Sequence, residues 1–401
     1  MRNQKYEKGE TKMKHPLPRG WKYKLLSEIG DAYTGNTPST KDKNNYGNDY
    51  LFVTPADIKE NKYITDSERK LSSKGFSISR KFKKGDILYV SIGSTIGKIA
   101  IADKELTTNQ QINVLRVNEE NYNEFVYYQL INSFKSFSHL ISTQAVPILN
   151  KTSFENISIL LPPIDEQKRI AEVLSLCDKL IENLTKLIEK KEIYKKGVMQ
   201  RVLSGEVRFN GFTDEWENVK LKDILIVGSK DRVLDTSKYK KITIKLHNKG
   251  IEFSNIERKM ADKRPFYIRK KDEIIIGKQN YFNGSIAIVG EEFDNTICSN
   301  AIMSFTVNKN CNNKFIYFLL SRKSYMQKYY HLANGTGQKE LSESDFLNFN
   351  LLIPRLEEQN KIAELLTLID KDIEILKQLL HLRKLQKKGL MQKLLTGEVR
   401  I

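Results

Sequence analysis

The chain predicts an α+β protein in which two globular α/β regions alternate with two long coiled-coil helices, the whole forming a pseudo-two-fold internal repeat. Three observations carry this. Residues 166–208 recur as residues 358–400 at a constant offset of 192, with 23 of 43 positions identical and no gap. Both copies carry an apolar stripe at heptad spacing. The segments between them share a sparser set of landmarks in the same order. A repeat this long in a chain of 401 residues decides the architecture before any single motif does.

The stripe is read by steps of four and three. From Ile170 it runs through Leu174, Cys177, Ile181, Leu184, Ile188, Lys191, Lys195, Val198 and Val202; from Ile362 it runs through Leu366, Ile369, Ile373, Leu376, Leu380, Arg383, Lys387, Leu390 and Leu394. Eight of ten positions are apolar in each copy, and two basic residues interrupt both at the same place. Such a stripe needs a partner helix, because alone it would expose a long apolar strip to water. The other copy is the natural partner. Forty helical residues at about 1.5 Å each make a rod of roughly 60 Å. The shared break at Lys191/Lys195 and Arg383/Lys387 marks where each helix leaves its partner, kinks near Gly197 or Gly389, or meets an acidic group, and the residues leave these three open.

The net charge is +18, from 67 basic and 49 acidic side chains. Each helical copy contributes only +2, so the excess lies mostly in the globular regions and the first residues of the chain. A basic excess concentrated in globular parts points to a polyanion partner, most often nucleic acid, or to a Lys-rich solvated surface. Cys177, Cys298 and Cys311 are too scattered for a disulfide framework or a metal knuckle, and Cys177 falls on the apolar stripe as a free thiol. No stretch approaches 18 consecutive apolar residues and no signal-peptide core is present, so a cytoplasmic protein without a membrane span is expected.

Taken in order, residues 1–20 read as an irregular lead-in. Residues 21–161 form the first globular region: a short helix at 24–29, a loop rich in Gly, Asn, Thr and Pro at 35–49, and strands at 50–53, 86–92, 98–102 and 112–117. A helix at 124–141 and a last strand at 157–161 complete it. Pro162 and Pro163 followed by Asp165 and Glu166 signal a helix start, opening the first repeat helix within 162–209. Residues 210–353 repeat the framework: Trp216, Leu221 and Ile224 match Trp21, Leu26 and Ile29, and Phe346 matches Phe154. The second repeat helix occupies 354–401.

No catalytic constellation can be assembled. The run Ser91 to Ile99 superficially suggests a phosphate loop, but it is one residue short and has Ile99 where a magnesium-binding hydroxyl belongs; a hairpin or βα turn is expected instead. No dinucleotide fingerprint, HExxH or GxSxG is present. What the globular regions offer is loops dense in polar and basic side chains. The candidates for DNA contact are Thr37, Ser39, Thr40, Lys41, Lys43, Asn44, Asn45 and Tyr46 in one loop, with Lys98 and Gln144 nearby. In the second region they are Lys278, Gln279, Asn280 and Tyr281, then Thr336, Gln338 and Lys339. Asn and Gln read adenine, Lys reads guanine or holds phosphate, and Ser or Thr serve either role. The same residue types also make turns.

The phrase Leu161-Pro162-Pro163-Ile164-Asp165-Glu166-Gln167, repeated as Ile353-Pro354-Arg355-Leu356-Glu357-Glu358-Gln359, resembles the helix entries of type I restriction-modification specificity subunits. Gly35-Asn36-Thr37-Pro38-Ser39, Gly85-Asp86-Ile87-Leu88, residues 93–98 and Gly335-Thr336-Gly337-Gln338-Lys339 are similar to that family's target-recognition domains. The resemblance covers residues 21–400. It implies a non-catalytic subunit holding two target-recognition domains apart on an antiparallel helical pair, each domain reading half of a bipartite site in double-stranded DNA. It also implies docking of two methyltransferase subunits using S-adenosylmethionine, and of motor-nuclease subunits using ATP and magnesium, with no cofactor in this chain. Two departures stand out: Arg355 replaces Pro163 in the second entry, which should not disturb the helix, and the second domain lacks an obvious copy of the 37–46 loop. Competing readings are a stand-alone coiled-coil DNA-binding regulator and a methyltransferase with its own recognition domains. The second would need a cofactor-binding glycine motif, which is absent.

Overall fold

The computed structural model describes residues 17–142, 146–254, 264–332 and 340–401. Gln144, Thr336, Gln338 and Lys339 lie outside the described residues. The chain forms two compact units: one built from two separate segments, Met1–Thr185 with Gln378–Ile401, and one continuous, Lys186–Lys377. Each therefore holds one globular domain, the start of the helix that follows it and the end of the other helix.

In the first unit, Lys22–Leu25 pairs antiparallel with Ser158–Leu161, closing the two ends of the domain on one another. A one-turn helix, Leu26–Ile29, follows, with Glu28 accepting from the Leu25 amide at 2.6 Å. The main sheet runs Gly30–Thr34, Ile112–Val117, Ile87–Val90, Ile99–Ala102 and Tyr63–Ile64, the last pairing parallel. A second sheet runs Tyr46–Gly47, Arg69–Leu71, Tyr50–Val53 and Thr107–Thr108. Ile87–Val90 and Ile99–Ala102 are apolar and buried throughout, because both faces of the main sheet are covered. One face packs on the helix Asn123–Phe137; the other packs on Leu51, Val53, Ile58 and Phe82.

Ile87–Val90 and Ile99–Ala102 form an antiparallel hairpin, as the sequence suggests for the loop between them. The amides of Gly93, Ile96, Gly97 and Lys98 donate to Pro147, Gly93, Val90 and Thr95 carbonyls, so these four are engaged in closing the turn. Gly97 has φ +93° and its α-carbon lies against the Phe134 ring, where a Cβ would collide.

The second unit repeats the order. Glu217–Lys220 pairs with Asn350–Ile353, and Leu221–Ile224 is the one-turn helix. The main sheet runs Leu225–Val227, Ile302–Val307, Ile274–Gly277 and Ile286–Ile288. The turn entering the third of these strands is conserved in shape: Gly85 has φ +92° before Asp86, and Asp272 has φ +67° before Glu273. Asp86 pairs with Arg116 at 2.6 Å, whereas Glu273 pairs with Arg269 at 3.4 Å. The same acid position thus takes its arginine from different strands.

The repeat helices are continuous over Ile164–Val202 and Leu356–Leu394, passing Gly197 and Gly389 without a break. Within each unit they run antiparallel. In the first, Glu166 meets Arg400 and Asp178 meets Lys387; in the second, Glu358 meets Arg208 and Asp370 meets Lys195. Each domain core is completed by both helices. Ile170, Leu174, Met391, Leu394 and Leu395 join the first, and Val202, Leu203, Ile362, Ala363 and Leu366 join the second. The cysteines are free, and burial pushes the Cys298 thiol up to about 12, marking it as an inert core group. No described helix is long and apolar enough to cross a membrane.

Candidate nucleic-acid interface

The loop after Gly30–Thr34 is fastened at several points. Gly35 donates to Ile112 and lies so close to Thr108 and Asn109 that a Cβ would collide with them. Asp42 caps the 3-10 turn Lys43–Asn45 by accepting from the Asn44 amide at 3.0 Å. The Lys74 ammonium, 2.7 Å away, holds the Asp42 carboxyl below its ordinary range. Asn45 is 3 % exposed; its side-chain amide donates to the Ser39 carbonyl, and the Ser72 backbone amide donates to the Asn45 carbonyl. Tyr46 donates its hydroxyl to the Pro38 carbonyl at 2.9 Å.

Asn45 and Tyr46 therefore shape the loop from inside, Asn45 buried and Tyr46 half-buried. What the loop presents is Thr37, Ser39, Thr40, Lys41, Lys43 and Asn44, all exposed. Thr37 also donates to Gln110 at 2.5 Å. Lys98 is exposed at the start of its strand.

Lys74, Arg80 and Lys81 lie on the next layer and were not singled out from sequence. Arg80 donates to the Thr34 carbonyl at 2.5 Å and its amide donates to Asn36 at 2.7 Å, so it secures the loop root. Lys81 sits 4.9 Å from the Phe76 ring centre, and Phe76 stacks on Tyr50 at 4.0 Å. Lys74 and Arg80 are 32 to 46 positions in sequence from the residues they bond, and the pairing of Arg69–Leu71 with the strands beside the loop brings them together.

The second domain does have a counterpart of this loop, contrary to the sequence expectation. Asp235 caps the 3-10 turn Thr236–Lys238 by accepting from the Ser237 amide, as Asp42 does at an offset of 193. Its residues differ almost completely, which hid the copy; the capping aspartate and the tyrosine after the turn, Tyr239, were the available signal. Gly228 at the loop root donates to the Ser304 carbonyl, and a Cβ there would collide with the Ser304 hydroxyl. Arg269, 2 % exposed, donates to the Ser229 carbonyl at 3.0 Å and to Ser304.

Lys278 is half-buried beside this root, and Gln279 and Asn280 are exposed at the following turn. Tyr281 is a correction: it is fully buried, with its hydroxyl on the Leu320 carbonyl at 2.9 Å and its ring edge-on to Phe346. Standing directly after an exposed amide pair, this aromatic looks from sequence like a loop residue, yet it fills the domain core.

The helix-entry motif acts as a clamp. Glu166, 3 % exposed, receives both Arg400 nitrogens at 2.9 and 2.7 Å and the Trp21 indole at 3.2 Å. Glu358 receives Arg208 in the same bidentate way at 2.9 and 2.7 Å. Gln167 accepts from the Tyr122 amide and donates to the Pro162 carbonyl; Gln359 accepts from Asn312 and donates to Pro354. Each Gln so ties the N-terminus of a domain helix to a repeat helix. The second entry survives Arg355: its carbonyl accepts from Glu358 and Gln359, as the Pro163 carbonyl accepts from Glu166 and Gln167.

The basic break meets acids. Lys195 pairs with Asp370 and Lys387 with Asp178, two contacts related by the repeat, and Lys191 pairs with Asp372 at 2.6 Å. Arg383 bonds Gln386 on its own helix, since the counterpart of Asp372 is Leu180, which offers no carboxylate.

Two domains with divergent loops, each seated on a copied pair of clamped helices, give the chain the architecture of a duplicated scaffold. Residues 18–192 and 213–382 match the type I restriction modification DNA specificity domain, and the chain belongs to that family as the non-catalytic specificity subunit of a type I restriction-modification system. It is similar to the MjaIX specificity subunit of Methanocaldococcus jannaschii, 29% identical over 96% of this chain and 95% of that one. It is also similar to the MjaVIII specificity subunit of the same organism, 25% identical over 99% of this chain and 97% of that one. The crystal structure of a type I S subunit from M. genitalium shares the fold, with a TM-score of 0.63 at 17% identity, covering 95% of this chain and 98% of the other.

Proposed function

We propose that residues 21–161 and 210–353 are target-recognition domains, each reading one half of a bipartite site in double-stranded DNA. Residues 162–209 and 354–401 form the helices that set the spacer, and 1–20 are a lead-in. The carrying observation is that the helices and their clamps are duplicated while the loops hung on the same Asp-capped turn differ. Identical frames with different loops suit one partner type bound twice and two different half-sites. Helices of 39 residues, at about 1.5 Å per residue, are long enough to separate two readers by a DNA turn of about 34–36 Å.

The DNA-contacting surface of the first domain is Thr37, Ser39, Thr40, Lys41, Lys43, Asn44 and Lys98, to bases or to phosphates; that of the second includes Lys278, Gln279 and Asn280. Partner docking falls to the outer helix faces, where Leu176 and Leu180 on the first helix and Leu368 and Ile375 on the second are exposed. Two methyltransferase subunits would dock there and supply S-adenosylmethionine chemistry, and motor-nuclease subunits would supply ATP- and magnesium-dependent steps, in the cytoplasm where the host DNA lies. The test is coexpression with the methyltransferase subunit and sequencing of host DNA for methyladenine. A split methylated motif is expected; a stable complex with no such motif overturns the reading. Exchanging residues 21–161 for another such domain should change one half of the motif only.

A further inference from the structure

A cleft of about 200 Å³ opens at the root of the 228–239 loop in the second domain, lined by Lys230, Tyr267, Lys278, Asn300, Ser304 and Glu343 among others. Its charges leave a remainder. Lys230 is paired with Glu343 at 2.7 Å, and Arg269 in the floor is paired with Glu273 at 3.4 Å. Lys278, half-buried, has no carboxylate partner among the described residues. The cleft thus holds one uncompensated positive charge together with hydrogen-bond donors on Asn300 and Tyr267. A half-buried ammonium loses hydration that an opposite charge would replace.

The first domain shows what the cleft is not. The strand register places Gln110 where the second domain has Asn300. There Thr37 donates to Gln110 at 2.5 Å and bridges the loop to the sheet hairpin. Ser91 takes the place of Lys278 and is buried, so the first domain has no lysine at this position.

Resting on the reading that this domain binds DNA, we propose that the cleft is a phosphate anchor: Lys278 holds a single backbone phosphodiester, with Asn300 and Tyr267 donating to its oxygens. One phosphodiester carries the one negative charge that the cleft lacks and only accepts hydrogen bonds, as these donors require. A phosphate contact fixes the register of the domain on the duplex without reading sequence.

The test uses the full chain copurified with its methyltransferase subunit, as wild type, Lys278→Ala and Lys278→Arg, on fluorescent duplexes with the methylated motif or a scrambled sequence. Thermal melting confirms that each variant is folded. For Lys278→Ala, affinity should fall by the same factor, several-fold, on both duplexes. Its slope of log K against log salt should shrink by about 0.9, with the methylated motif unchanged. Lys278→Arg should restore the slope. An unchanged slope with a relaxed second half-site would make Lys278 a base reader and overturn the proposal, as would unchanged affinity. Absence of any bipartite motif with the wild type would instead defeat the functional reading, while the slope on the scrambled duplex would still decide the anchor.

Discussion

The two domains sit on the same helices in different ways. In the first, Glu124 on the domain helix receives Lys62 at 2.7 Å, Tyr63 at 2.6 Å and Ser175 of the repeat helix at 2.6 Å, and Tyr128 donates to Asp178 at 2.5 Å. Lys387 completes the cluster by pairing with the same Asp178. In the second, the corresponding positions carry Lys314, Thr367 and Phe318, and the shared lysine, Lys195, lies 5.6 Å from the Phe318 ring centre. One seat is a polar network; the other is apolar contact with a cation over a ring. The lesson is that a duplicated helix does not dictate how its domain is fastened. A hydroxyl in place of a ring hydrogen, Tyr128 against Phe318, is enough to recruit a carboxylate that both helices carry.

The comparison can be broken most strongly at the clamps. Arg208→Ala leaves Glu358, 1 % exposed, with a buried charge and no other side-chain donor, because the Trp216 indole finds no partner. Arg400→Ala leaves Glu166 with the Trp21 indole still in place. Both variants should melt lower by several degrees, Arg208→Ala the more; calorimetry showing equal losses would mean that the indole contributes nothing.

The polar seat comes next. Glu124→Gln should cost about 2 kcal/mol in chemical unfolding, because Lys62, 8% exposed, loses its counter-charge. Burial raises the Glu124 pKa, but hydrogen bonds from Lys62, Ser175 and Tyr63 outweigh it, so the carboxyl stays below its ordinary range. A lowered folded value means the stabilisation is complete above the unfolded pKa, about 4.3. It fades as pH falls through the folded value, so the gap between wild type and variant should close in acid. A gap constant from pH 7 to 3 would exclude ionisation as its source.

Tyr128→Phe converts the first seat toward the second and should cost about 1 kcal/mol, while Phe318→Tyr in the other domain should lie within about 0.5 kcal/mol of neutral. Equal effects would show the seats to be equivalent. The smallest effect belongs to the half-exposed helix pair: a double-mutant cycle on Lys195 and Asp370 should give about 0.5 kcal/mol or less. A coupling above 1 kcal/mol would make this pair a main determinant of helix register rather than a minor one.

Much of this was legible in the chain. The strands Tyr50–Val53 and Ile112–Val117 begin and end where their apolar patterns do, and the helices follow the heptad steps from Ile170 and Ile362. The helix predicted at 124–141 stops at Phe137, with a 3-10 turn, Ser138–Leu140, beyond it. The short helix expected at 24–29 is half strand, because Lys22–Leu25 is captured by Ser158–Leu161, a pairing across more than 130 residues that no local pattern announces.

The site was less legible for the same reason. Loop composition singles out Lys41, Lys43 and Asn44, which are exposed, but does not tell them from Asn45, whose side chain turns inward, nor from Tyr281, which fills the core. Side-chain direction in an irregular loop is set by what packs behind it.

The sequence by itself determined the repeat, the helices, the order of the domains and the family, since each depends on residue identity at fixed spacing. Only the tertiary structure decided that each domain core is closed by the far end of the other helix. It also paired Glu166 with Arg400 and Glu358 with Arg208, and turned the basic break toward Asp178, Asp370 and Asp372. These partners are brought together by antiparallel helix pairing, and a linear pattern records which groups seek a partner but not which partner the fold delivers.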